Sequence, residues 1–201
     1  MKNWERTIRE ETEKCKVTTL GENNKRYPYA ILPLESRANP KYLNAITSGL
    51  TSMLAREIKK ANVIVGIEAK GFFPSVLVAK DSRKKLVVVR KRDYKIPDQV
   101  VFEHETAYGK KESLYCVGLE KGDKILIVED IISSGGTAKA VINELKKKHK
   151  VVGIGTLYDR SDGRKIIKKE TGISPKSLAT IDVIDGSVKV LNFYPDNNLS
   201  D

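Results

Sequence analysis

Four short apolar runs set the frame for any fold this chain adopts: Val63-Ile64-Val65-Gly66-Ile67, Leu86-Val87-Val88-Val89, Ile125-Leu126-Ile127-Val128, and residues 151–157. None of them alternates apolar with polar residues, so each would be covered on both faces, as strands of a parallel sheet are. Between the third and fourth runs, Ala138, Val141, Ile142 and Leu145 recur at the spacing of an amphipathic helix. Strand, helix and strand in that order make a βαβ unit. Upstream, Leu43, Ile46, Leu50, Met53, Leu54 and Ile58 keep a helical period, with Asn39 as cap and Pro40 in the first turn. Downstream, residues 177–185 and 187–194 flank Asp185-Gly186, a pair suited to a two-residue hairpin turn. The expectation is an α/β fold with a mainly parallel sheet flanked by helices. Residues 1–35 would form an N-terminal hood, 36–160 the core, and 161–201 a helix (over 160–170) and hairpin extension.

At 201 residues the chain is long enough for one domain with a substantial core, and 40% hydrophobic against 31% charged residues excludes a disordered chain. No apolar run approaches the ~20 residues of a membrane span. The charged start has no apolar stretch behind it, and Cys15 and Cys116 stand alone, away from any metal-like cluster. A cytoplasmic protein with reduced thiols is expected, a Cys15–Cys116 disulfide being the alternative. The net charge of +11 invites nucleic acid, yet aromatics are only 6% and no nucleic-acid motif is present. A highly phosphorylated small substrate would equally favour a positive field. His104 and His149 belong to no constellation.

The chemistry concentrates in Ile125-Leu126-Ile127-Val128-Glu129-Asp130-Ile131-Ile132-Ser133-Ser134-Gly135-Gly136-Thr137. A buried strand ends in two adjacent acids, a loop of small, hydroxyl-bearing residues follows, and a helix begins. Ligands of open α/β sheets sit at the carboxyl ends of the strands. Backbone N–H groups at a helix N-terminus, reached through glycines, bind anions, and Ser133, Ser134 and Thr137 would add hydroxyl donors. Glu129 and Asp130 are placed to accept from vicinal sugar hydroxyls. A phosphate cradle beside two acids describes a socket for ribose 5-phosphate. The Gly-x-x-x-x-Gly-Lys-Ser/Thr pattern of P-loop proteins is absent.

This segment resembles the phosphoribosyl-pyrophosphate (PRPP) motif of type I phosphoribosyltransferases. Glu68-Ala69-Lys70-Gly71-Phe72 resembles the Glu-Ala-Arg-Gly-Phe element of the adenine enzymes, in which this loop holds pyrophosphate; Lys70 in place of Arg keeps the charge and loses the bidentate fork. Arg90-Lys91 and Lys95-Ile96-Pro97 resemble further basic elements of the family. Tyr108-Gly109-Lys110 looks like part of the flexible loop that closes over the reacting centre. The resemblance spans most of residues 27–170 and implies a purine phosphoribosyltransferase. Its pyrophosphate would lie on Lys70, Gly71, Arg90, Lys91 and Lys95, with some of these reaching across a homodimer interface. The same resemblance gives Glu129, Asp130, Lys70 and Tyr108 to catalysis, and Ser133, Ser134, Gly135, Gly136 and Thr137 to the 5′-phosphate. Mg²⁺ would be carried mainly by substrate oxygens, without direct protein ligands.

The base is less firmly written in the sequence. Asp159, with Ile131 and Leu157, would meet it. Where 6-oxopurine enzymes carry a lysine that donates to O6, this chain has Asp159, whose ionised carboxylate only accepts. An acceptor suits the exocyclic amine of adenine, so the expected reaction joins adenine to PRPP to give AMP and pyrophosphate. Lys70 and residues 172–193, which resemble the end of bacterial xanthine phosphoribosyltransferases, point instead to a 6-oxopurine. Ala107 stands where adenine enzymes often have Glu. Regulators that keep this fold as a nucleotide sensor are the remaining alternative, although no helix-turn-helix segment is evident.

Overall fold

The computed structural model describes residues 2–22, 25–105 and 111–196. Among the described residues, eight strands form one sheet in the order β10-β9-β8-β7-β3-β4-β6-β5. The four apolar runs lie in β3 (Val63–Ile67), β4 (Lys85–Arg90), β7 (Lys124–Ile132) and β8 (Lys150–Asp159). These four, with β9 (Lys176–Ile184), run parallel. Antiparallel strands close the two edges: β10 (Ser187–Phe193) beside β9, and β5 (Val100–Glu105) with β6 (Lys111–Cys116) beyond β4. The Asp185-Gly186 turn has positive φ at both residues (50° and 71°), as a two-residue hairpin turn between right-twisted strands requires.

Both faces of the sheet are covered, as the unbroken apolar runs require. Ile64, Leu126 and Val128 face α2 (Pro40–Met53) and α4 (Phe72–Ser82), packing with Ile46, Leu50 and Val78. Their strand neighbours Val63, Val65, Ile125 and Ile127 face the other way, against Val141, Ile142 and Leu145 of α5 (Gly136–Leu145) and Ile167 of α6 (Gly163–Thr171). The Asn39 side chain caps α2, accepting from the Tyr42 N–H at 2.9 Å. The helical period over 40–60 is broken at Leu54, where α3 (Ala55–Lys60) begins.

The N-terminal residues form α1 (Asn3–Glu13), the hairpin of β1 (Val17–Glu22) and β2 (Lys25–Ala30), and a short 3-10 turn, Pro33–Glu35. Helix α1 packs on α2 and β10, and its Ile8 is fully buried in the core, so this segment is partly built into the main body. The Tyr158 hydroxyl, hydrogen-bonded to Thr12 and at 2.7 Å to Tyr42, ties α1, α2 and β8 together beneath the hairpin. Likewise, residues 176–193 are continuous with the sheet through β9. Cys15 and Cys116 are both free thiols, and burial raises their pKa values to about 11 and about 12. Among the described residues no helix is long and apolar enough to cross a membrane.

Candidate active site

The parallel strands run in two directions from one point. From β3 the chain steps to β4 on one side and later to β7, β8 and β9 on the other, so the strand order reverses between β3 and β7. The crevice at the carboxyl ends of two such strands is where open α/β sheets bind ligands. Here the Glu68–Gly71 loop leaves β3, and Glu129 and Asp130 lie on β7.

The acids do not end their strand, as the sequence predicted. Strand β7 continues through them to Ile132, held by Ile131–Tyr158 and Ile132–Asp159 pairing with β8. The loop proper is therefore Ser133 to Gly135, with Ser133 and Ser134 exposed and Gly136 and Thr137 in the first turn of α5. Gly135 takes the left-handed φ of +78°, and an added Cβ would lie 2.7 Å from the Gly163 carbonyl oxygen. Both facts reserve the position for glycine. The result is a loop of exposed hydroxyls and helix N-terminal N–H groups, backed by the first turn of α6, an arrangement that can accept an anion.

Asp130 is buried, at 6% exposure, and Glu129 is partly buried with Oε1 shut off from solvent and unpaired. Burial raises both carboxyls above their usual range. Asp130 reaches about 6, opposed by Lys70 and by the N–H groups of Ile131 and Asp130 itself. Glu129 goes well above, pushed further by the neighbouring Asp130 and opposed by the Ile67 N–H and Lys70. Glu129 lies directly over the β3 loop: a Cβ on Gly71 would come 2.0 Å from its Oε1 and 2.6 Å from the Ile67 carbonyl oxygen. Gly71 is thus the condition for this acid to occupy the crevice.

Lys70 reaches the same place. Its Nζ is 3.8 Å from Asp130 Oδ2 and 3.1 Å from Glu35 Oε1, and it donates to the Tyr29 hydroxyl at 2.9 Å. Burial alone would lower its pKa; Tyr29, Asp130 and Glu35 outweigh that and hold it above the usual lysine range. Arg90 ends β4, Lys91 follows it, and the two share one carboxylate. Glu68 Oε2 accepts from the Lys91 N–H at 2.7 Å and lies 3.8 Å from Arg90 Nε. The Lys91 ammonium turns to Glu112, 3.3 Å away, and Lys95 is exposed, with a left-handed φ of 53°. The crevice thus gathers Glu129, Asp130, Lys70 and Gly71, while Arg90 and the Lys91 backbone are tied to Glu68 on the β4 side and Lys95 lies exposed further along the chain.

Two expectations for the base are corrected. Leu157 has no exposed surface and belongs to the core, so it cannot touch a ligand; Ile131 is partly exposed and can. Asp159 is not a free acceptor but is already paired through one of its oxygens. Its Oδ1 receives Arg164 Nη1 at 3.2 Å and the Thr180 hydroxyl at 2.8 Å, and the pair with Arg164 is buried (10% and 3% exposed). Tyr108, expected in a closing loop, lies outside the described residues, as do Ala107, Gly109 and Lys110. Tyr29, Glu35, Arg160 and Arg164 were not anticipated at the site. Arg164 left a trace, as the fifth residue of the predicted helix and five positions from Asp159.

Two acids and a lysine thus meet beside a glycine-containing loop and a helix N-terminus at a topological switch point. The phosphoribosyl transferase domain model matches residues 39–185, most of the chain. A curated hypoxanthine/guanine phosphoribosyltransferase from Methanocaldococcus vulcanius is 34% identical over 188 residues, spanning 92% of this chain and 99% of that protein. Its counterpart from Methanothermus fervidus is also 34% identical, over 90% of this chain and 94% of that one. Among solved structures, adenine phosphoribosyltransferase from Rhodothermus marinus superposes with a TM-score of 0.71 at 21% identity, covering 88% of this chain and 99% of that one. This chain belongs to the phosphoribosyltransferase family, in its type I purine branch.

Proposed function

We propose that the protein transfers phosphoribose from PRPP to a 6-oxopurine, hypoxanthine or guanine, giving the nucleoside monophosphate and pyrophosphate. The observation that carries this choice of base is the pairing of Asp159 with Arg164 and Thr180. It engages Oδ1 of the acceptor that favoured adenine and ties it to a buried arginine, and the relatives from Methanocaldococcus vulcanius and Methanothermus fervidus, 34% identical over nearly their full length, are hypoxanthine/guanine enzymes. Adenine is the second reading, because Asp159 still stands where a donor lysine is expected and the fold is shared with adenine enzymes.

The reaction breaks the C1–O bond to pyrophosphate and forms a C1–N9 bond to the purine, whose ring N–H proton leaves to the departing pyrophosphate or to solvent. Negative charge gathers on the leaving group and positive charge on the ribose ring. Lys70, with Arg90, Lys91 and Lys95 from β4 and the chain beyond it, would stabilise the leaving pyrophosphate, and fixed charges in a partly dry site do this without reorganisation. Glu129 and Asp130 would hold the ribose hydroxyls and face the ring as it becomes cationic. Ser133, Ser134 and the N–H groups of Gly135, Gly136 and Thr137 would fix the 5′-phosphate, so that much of the acceleration comes from placement. Mg²⁺ fits this arrangement as a passenger on substrate oxygens. The hard oxygens of Glu129 and Asp130 beside the ribose would suit it. It would supply charge neutralisation for the pyrophosphate. A cytoplasmic homodimer completes the proposal.

The test is turnover of PRPP and Mg²⁺ with hypoxanthine, guanine, xanthine and adenine in separate reactions. Hypoxanthine or guanine should exceed adenine in kcat/KM by at least about a hundredfold, the discrimination a mismatched buried polar contact commonly gives. Preference for adenine would overturn the choice of base and leave the phosphoribosyl site standing.

A further inference from the structure

Lys70 is claimed from two sides. The loop after β3 brings its ammonium to the crevice, 3.8 Å from Asp130 Oδ2. The N-terminal segment reaches onto it from the other side. Glu35 Oε1 is 3.1 Å from Nζ, the Tyr29 hydroxyl accepts from Nζ at 2.9 Å, and the Tyr29 ring centre lies 5.3 Å away. The Tyr29 hydroxyl donates in turn to Glu35, so the two residues meet the ammonium as one unit. Glu35 is well enclosed, its side chain 18% exposed against 31% for Lys70.

The same strand is held one residue earlier by a contact of a different kind. Arg160 Nη1 donates to the Pro28 carbonyl at 3.0 Å, while Arg160 Nε donates to Asp182 of β9 at 3.1 Å. That grip uses groups of the main sheet with no part in holding PRPP. The hairpin is therefore tied to the body at Pro28 by a fixed contact and at Tyr29 by one that a ligand can take away.

An ammonium has three donors and no acceptor, and Tyr29, Glu35 and Asp130 already surround this one. A diphosphate arriving at Lys70 competes with these partners, of which Tyr29 and Glu35 lie at hydrogen-bond distance and Asp130 at 3.8 Å. Asp130 is wanted by the ribose and Tyr29 is neutral. Glu35 is the partner whose charge repels the incoming anion across a partly buried gap. Resting on the reading of Lys70 as a pyrophosphate contact, we propose that Glu35, braced by Tyr29, is a positioning residue that holds Lys70 and the hood together at rest. PRPP takes Lys70 from Glu35 on binding, and the hairpin is thereby released to pivot about Arg160.

The measurement is calorimetric binding of PRPP, and of inorganic pyrophosphate with Mg²⁺, to the full chain and to Glu35→Gln, Glu35→Asp, Lys70→Met and the Glu35→Gln/Lys70→Met double variant. Glu35→Gln should bind both ligands about three- to tenfold more tightly, in the usual range of coupling between sites. Its KM for PRPP should fall with no rise in kcat. Glu35→Asp, which keeps the charge, should stay near the parent. Lys70→Met should weaken both ligands at least about tenfold, and adding Glu35→Gln to it should change nothing further. A Glu35→Gln variant that binds no more tightly, with Lys70→Met weakened as expected, overturns the exchange and leaves Lys70 in place. Unchanged binding by Lys70→Met would instead overturn the role of Lys70 itself. Tyr29→Phe, which loses the brace but keeps the ring, should shift affinity in the same direction as Glu35→Gln and gives the answer if that variant does not fold.

Discussion

Asp130 shows at a single residue how this fold holds a group for chemistry against its own stability. The carboxyl is buried for ligand contact, and burial lifts its pKa from 3.8 to about 6. An acid that binds its proton more tightly folded than unfolded makes the folded state the more protonated one over that interval, so stability falls as pH rises from about 4 to about 6. Asp130→Asn removes this decline. The variant should melt a few degrees above the parent at pH 7 and lose that advantage near pH 4, while its kcat/KM for PRPP drops about a hundredfold or more. Thermal melts across pH 4–8 check it, and equal melting at pH 7 would mean that the buried charge carries no such cost. Single residues were legible from the sequence when a backbone signature fixed them. Glu129, Asp130 and the glycines of the loop were all read from the order strand, acids, small residues, helix. Tyr29 and Glu35 were not, since their role comes from meeting Lys70 some 40 positions away, and no local pattern encodes that distance. Asp159 was seen but given the wrong environment, because its partners Arg164 and Thr180 lie on separate elements.

At the scale of elements, the phosphate loop is shaped as much by α6 as by its own glycines. A Cβ on Gly163 would fall 2.1 Å from the Ser133 carbonyl oxygen and 2.8 Å from the Gly135 nitrogen, so the first turn of α6 and the loop pack backbone to backbone. Neither group is the end of a flexible side chain, and the loop must move to admit a methyl group. Gly163→Ala should therefore raise the KM for PRPP at least about tenfold and lower the melting temperature by several degrees. Its effect on hypoxanthine should be smaller, and steady-state kinetics with each substrate varied in turn would show the contrast. Loss confined to the base would assign the contact a different role. The helix itself was predicted over 160–170 and begins at Gly163, because Arg160 leaves β8 to bridge Pro28 and Asp182. The core strands and α5 were legible because continuous burial writes a continuous apolar run. The β5–β6 pair was not. It carries polar residues such as Glu103 and Glu112 and sits at the sheet edge, where one exposed face leaves a weak signal.

For the whole molecule, the surface beside the pyrophosphate arm asks for a cover. Phe73 and Val76 stand one turn apart on α4 at 51% and 46% exposure, and Leu86 of β4 and Ile96 beyond it add 37% and 46%. Scattered apolar residues are ordinary, but four exposed on successive elements of the chain, in a protein of net charge +11, offer apolar surface whose burial would be favourable. A second copy of the chain is the occupant proposed here, since a two-fold contact is self-complementary and needs no other partner. Arg90, Lys91 and Lys95 leave the same stretch, so pairing through it would set one chain's basic arm near the other. In sedimentation the protein should run at twice its 22.5 kDa mass. Phe73→Glu with Val76→Glu should halve that mass, because two charges on one helix turn would have to be buried unpaired in each half of the contact. The fold should survive, both side chains being exposed in the single chain, and circular dichroism would confirm it. If the basic arm acts across the contact, the same variant loses affinity for pyrophosphate as it dissociates. If it acts within its own chain, the monomer keeps that affinity. A parent protein already running at 22.5 kDa would put this apolar surface to some other use and return Arg90, Lys91 and Lys95 to their own crevice.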